Sequence, residues 1–134
     1  MDEVRLVRRA QPLVKQMAWS QGLARVLIGT SMFAAPALVA GSWTGEADTA
    51  TVRLPMRALG LRDAVIGIGT LWSLRRRQPV RHWFVLGVAV ELVDASVTLN
   101  KRRRLGATGH PDAWELLTAA GLAGGVIVAA ALRD

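Results

Sequence analysis

The 134-residue chain is 51% hydrophobic, carries 17 Lys and Arg against 10 Asp and Glu, and contains neither Cys nor Tyr. That length is one domain's worth of sequence, and an apolar set rich in Ala, Val and Leu with clustered charges excludes a disordered chain. The lack of Cys excludes a disulfide scaffold, a thiolate zinc site and a cysteine nucleophile.

Residues 1–19 are basic. Val4, Val7, Val14, Met17 and Ala18 fit one helical face, with Arg5, Arg8, Arg9 and Lys15 flanking it. This pattern predicts a short interfacial helix whose cations meet anionic lipid headgroups, although Pro12 interrupts it. A signal peptide is the alternative reading of a basic stretch before an apolar run. Ala35, Pro36 and Ala37 mimic a cleavage site only weakly, because Pro lies between the small residues and the apolar run continues past it, so the segment is read as retained.

The first predicted span, residues 20–41, has a single charge, Arg25, in 22 residues, enough at about 1.5 Å per residue to cross a hydrocarbon core of roughly 30 Å. Pro36 lies inside it and predicts a kink one turn earlier, near Met32, with Ser31 or Thr30 helping to satisfy the freed carbonyl. A polar loop, Gly41 to Thr51, follows. The second span, residues 56–74, contains Arg57, Arg62 and Asp63, and the third, residues 82–100, contains Glu91 and Asp94. The fourth, residues 113–132, has no charge after Glu115. Pro12, Pro55, Pro79 and Pro111 are expected outside the spans, where they start or stop helices.

Trp19, Trp43, Trp72, Trp83 and Trp114 all fall near proposed span ends, and Trp prefers headgroup depth. The expected fold is therefore an all-α integral membrane four-helix bundle, a single transmembrane domain over residues 1–134. The alternative is a soluble helical bundle whose Trp residues fall near helix ends by accident.

Four spans put the N-terminus, the second loop and the C-terminus on one side. That side holds Arg5, Arg8, Arg9, Lys15, Arg75, Arg76, Arg77, Arg81 and Arg133, nine cations, against Arg53, Arg57, Lys101, Arg102, Arg103 and Arg104, six, opposite. Positive charge favours the cytoplasm, so the expected location is the plasma (inner) membrane with both termini cytoplasmic. A reading in which the third segment lies in the interface would place the Lys101–Arg104 run inside instead.

Ionisable groups at membrane depth cost on the order of 2.5 kcal/mol or more, so Arg25, Arg62, Asp63, Glu91 and Asp94 need partners or water. Counted from the outer ends of their spans, Arg62 and Asp94 each lie about 9 Å in, and so sit level. Glu91 and Asp94 share a helix face that Thr98 extends by a turn. Arg62, Asp63, Glu91, Asp94 and Thr98 are thus the candidate intramembrane polar site. One reading is a site for a proton, a cation or a polar headgroup; the other is a buried ion pair, Arg62 with Asp94 or Glu91, that sets helix register. Gly121 and Gly125 form a small-xxx-small pair in the fourth span, and Gly22, Arg25 and Gly29 line one side of the first, so Gly22, Gly29, Gly121 and Gly125 are the candidate helix-packing positions.

The run RALGLRDAVIGIGTLWSLRR, Arg57 to Arg76, followed by VELVDASVTL in the third span, resembles the small four-span membrane proteins of unknown function widespread in actinobacteria. The R-x-L-G-x-R-D-x-x-x-G core of that group falls on Arg57, Gly60, Arg62, Asp63 and Gly67, and its recurrent third-span Asp on Asp94. The resemblance implies the four-span architecture and points to those residues. It implies no activity.

No Gly-rich phosphate loop, no Ser, His and Asp order of a triad and no His pair at helical spacing is present, so neither an enzyme nor a metal or other cofactor is expected. His82 and His110 read as surface or capping residues. The Lys101–Arg104 run adjoins an apolar span and reads as a headgroup anchor or topology signal rather than a nucleic-acid contact. Two function classes remain: an accessory, assembly or structural component that packs on a membrane complex or on itself, and a small oligomeric transporter or channel using Arg62, Glu91 and Asp94. The likeness to small multidrug exporters in size and span count is superficial, because their essential acid lies in the first span and this first span has none.

Overall fold

Pro36 has no amide hydrogen, so the Met32 carbonyl finds no donor at the next turn and a straight helix cannot continue. In the computed structural model, which describes the backbone of residues 2–43, 49–104 and 113–132, helix α1 (Asp2–Ala34) ends there and α2 (Pro36–Trp43) begins. The Ala35 amide still donates to the Ser31 carbonyl (2.8 Å), and the Ala35 carbonyl accepts the first α2 bond, from Val39 (3.2 Å). Pro36 thus occupies the first helical position of α2, where a missing N–H costs little. The two helices diverge by 108°. The kink expected near Met32 is therefore a full break at Ala35, and its sharpness has a packing cause. Folding α2 back buries Met32, Ala40 and Met56 together, with Ile28, Val39, Trp43, Val52 and Leu59 packed around them. Ser31 plays a different part from the one expected, because its hydroxyl donates to the Leu27 carbonyl (2.8 Å), not to that of Met32.

Helix α3 (Ala50–Arg76) starts after Thr49, an extended residue (φ −122°) whose carbonyl accepts the amides of Val52 and Arg53. It ends at Arg77, which adopts the left-handed conformation (φ 54°) while the Gln78 amide closes the last turn on the Ser73 carbonyl (2.9 Å). That is the closure glycine usually provides. Pro79 then prevents continuation, as expected. Pro12 and Pro55, expected outside the spans where they would start or stop helices, lie inside α1 and α3. Both prolines are exposed. The division expected at residue 19 is marked by no interruption of α1. Pro111 lies outside the described residues.

The chain forms two compact units, Met1–Gln78 and Pro79–Asp134. The first contains α1, α2 and α3. The second contains α4 (Arg81–Arg104) and α5 (Ala113–Ala131), which run antiparallel: Arg81 Nε donates to the Ala129 carbonyl (3.2 Å), and the Glu91 carboxylate lies against Gly121. Among its described residues Val80, Phe84 and Val128 are the buried apolar side chains.

All described elements are helices. By length and composition, Arg81–Asn100 and Ala113–Ala131 can each cross a membrane, and Gln11–Ala34 with Pro36–Trp43 makes a third candidate if the bent pair is one span. Helix α3 does not qualify in isolation, because every 18-residue window in it holds Arg62, Asp63 and at least one more Arg. Large apolar side chains face outward on every helix, among them Leu23 and Leu27 on α1, Leu38 on α2, Leu61 and Ile68 on α3, Val93 and Val97 on α4, and Leu116 and Ile127 on α5.

Candidate functional site: a charge pair between glycine contacts

Helices α1 and α3 carry the same spacing of residue types, Gly22, Arg25 and Gly29 on one and Gly60, Asp63 and Gly67 on the other. The helices run antiparallel, so Gly22 meets Gly67 and Gly29 meets Gly60. The approach is backbone to backbone. A Cβ added to Gly29 would stand 2.5 Å from the Gly60 carbonyl oxygen and from the Ala64 nitrogen, and one added to Gly67 would stand 2.7 Å from the Gly22 carbonyl oxygen. Real carbon contacts do not reach such values, so these positions admit no side chain without moving a helix.

Between the two glycine contacts Arg25 Nη1 donates to Asp63 Oδ1 at 3.0 Å, with side chains only 15% and 12% exposed. The same oxygen accepts from Arg62 Nη2 at 3.4 Å. One carboxylate therefore serves two guanidiniums, one from each helix. A group of this kind in apolar surroundings is held by its partners, since removing a charge from water is offset only by close opposite charge and hydrogen bonds. Thr70 and Ser73, further along the buried face of α3, are the other buried polar side chains among the described residues, and the Thr70 hydroxyl turns back on the Ile66 carbonyl (2.8 Å).

Around this centre Arg57 stands over the Phe33 ring, 6.0 Å from its centroid, so it too bridges α3 and α1. At the far end of α3 Arg76 lies over Trp72 at 4.7 Å. Both are cation–π distances. Arg57, Gly60, Arg62, Asp63 and Gly67, the residues of the R-x-L-G-x-R-D-x-x-x-G run, thus have contacts that join or support the α1 and α3 faces.

The predicted polar site divides between the units. Arg62 and Asp63 belong to α3 in the first, while Glu91, Asp94 and Thr98 belong to α4 in the second, all three half-buried. The Thr98 hydroxyl donates to the Asp94 carbonyl of its own helix (2.9 Å). Glu91 faces α5, where a Cβ on Gly121 would stand 2.9 Å from its Oε1. Gly22 and Gly29 lie against α3, Gly121 leaves room for a carboxylate, and Gly125 is buried in α5. Composition and depth alone place Arg25 among the intramembrane charges without joining it to Asp63. The shared spacing of Gly, charge and Gly on α1 and α3 is the signal that joins them.

Lys15 is exposed on α1, and the side chains of Arg5, Arg8 and Arg9 lie outside the described residues. Among the described residues no three His, Asp or Glu side chains group as a metal ion would need. The chain matches no protein-family model, no curated protein and no solved structure.

Proposed function

We propose that the chain is a small polytopic protein of the plasma membrane, with four membrane-crossing segments and both termini cytoplasmic, that acts as an accessory, assembly or structural component of a membrane complex. The observation that carries this reading is the placement of Asp63. The most buried acid among the described residues is engaged by Arg25 and Arg62 inside a glycine-pinned helix contact, while the outer helix faces are apolar. A charge held in this way fixes helix register, and broad apolar outer faces suit lipid or other membrane helices. The R-x-L-G-x-R-D-x-x-x-G run supports grouping the chain with the small four-span actinobacterial membrane proteins.

The test has two steps. Alkaline carbonate washing should leave the protein in the membrane pellet, and mild-detergent extracts should show it in a species much larger than its 14.4 kDa on native gels. A carbonate-soluble protein would end the membrane reading. An integral protein that runs as a monomer would leave the membrane reading standing and remove the assembly role.

A further inference from the structure

Helix α3 is the one long helix of the described residues whose charges disqualify it as an independent span, and its buried acid is bonded to the preceding long helix. We infer that α3 enters the membrane only as the second arm of a hairpin with α1, with Arg25 of α1 acting as an intramolecular counter-ion that makes α3 insertable. The inference rests on the reading above that both helices cross the bilayer.

Three features place the partner where insertion needs it. First, α1 precedes α3, so Arg25 is made before Asp63 and is present when α3 must leave the aqueous phase. Second, the glycine contacts at Gly22 with Gly67 and Gly29 with Gly60 bracket the pair and allow the 3.0 Å approach without any intervening side chain. Third, the connection between the two arms runs through α2, whose Ala40 packs with Met32 of α1 and Met56 of α3, so the two arms are already drawn together at that end. A charged residue at the centre of an isolated span opposes insertion, whereas a pair joined before or during entry presents a smaller net cost. Arg62 lies beside Asp63 on α3 itself, yet its bond is the longer of the two, 3.4 Å against 3.0 Å, and comes from a sequence neighbour that points along a different direction of the helix surface.

The experiment uses the full chain, which contains no Cys. Single Cys at Thr49 and at Gln78, which flank α3, are probed with a membrane-impermeant maleimide after synthesis into inner-membrane vesicles, so that later degradation does not hide the outcome. In the unsubstituted background the two positions should label from opposite sides. Labelling from the same side there would defeat the spanning of α3 itself, and with it the four-span reading. Given opposite sides, Arg25→Asp should lower the fraction of chains in which α3 spans by at least about fivefold although α3 is unchanged, and Asp63→Arg should do the same. The double variant Arg25→Asp with Asp63→Arg should return to within about twofold of the parent. An α3 that inserted on its own would do no better in the double variant than in Asp63→Arg, because its own sequence is the same in both. Failure of the double to recover, or unchanged spanning in Arg25→Asp, would therefore overturn the inference while leaving the spanning of α3 intact.

Discussion

Gly29 and Gly60 touch through their backbones: a Cβ on Gly29 would lie 2.5 Å from the Gly60 carbonyl oxygen, and a Cβ on Gly60 2.5 Å from that of Gly29. The reciprocity means that neither helix can yield by rotating a side chain, because the atoms in the way are main chain. Gly29→Ala or Gly60→Ala should therefore separate α1 from α3 locally and cost on the order of 1 to 3 kcal/mol, as overpacking does. Gly41 has nothing within 4 Å of its Cβ position, so Gly41→Ala is the control and should be neutral or slightly stabilising. Thermal unfolding of the three variants in one detergent checks the order. Equal melting temperatures would contradict the backbone contact.

The charge contact predicts an asymmetry. Asp63→Asn removes the carboxylate that Arg25 and Arg62 both contact, and should cost on the order of 3 to 5 kcal/mol. Arg25→Gln should cost less, because Arg62 Nη2 still lies 3.4 Å from Asp63 Oδ1. Combining the two should recover part of the Asp63→Asn loss. A double-mutant cycle followed by circular dichroism measures the coupling, and a larger loss from Arg25→Gln than from Asp63→Asn would show that the acid is not the shared partner.

Pro36→Ala restores an amide that could bond to the Met32 carbonyl and favours a continuous helix through Ala35. The α2 packing on Met32 and Met56 opposes straightening, so the expected outcome is a broadened bend rather than a straight rod. Spin labels at Leu23 and Leu38, both exposed, report it. The distance distribution should shift to longer values and widen; a distribution identical to that of the parent would mean that packing alone sets the 108° bend.

Topology gives the fourth prediction. If both termini are cytoplasmic, as proposed above, single Cys at Thr49 and at Thr108, the latter outside the described residues, should label from outside the cell. Labelling of both from inside reverses the orientation, and labelling from opposite sides means that the third segment does not span.

Much of the local structure was legible in the residues. Apolar runs of helical length bounded by basic clusters pointed to an all-helical chain, and all described elements are helices. Pro36 announced a kink, though not a full break, since a missing amide is a local fact of the chain. Gly22, Arg25 and Gly29 were legible as one face of α1 for the same reason, that a 3.6-residue period is set by the backbone of a single helix.

Pairing across helices was not legible in this way. Counting depths along separate spans sets Arg62 level with Asp94 but does not join Asp63 to Arg25, 38 positions earlier, whose guanidinium lies 3.0 Å from it. Depth counting gives a height in the membrane but no azimuth, and azimuth is what brings two side chains within hydrogen-bonding reach. The angle of the bend at Ala35 is equally absent from a proline, which removes one hydrogen bond and leaves the new direction open. That direction is chosen by the burial of Met32, Ala40 and Met56 from three different helices. Chain periodicity therefore determined which residues share a helix face, while only tertiary packing decided which faces meet, because close approach depends on where the glycines of both helices fall at once.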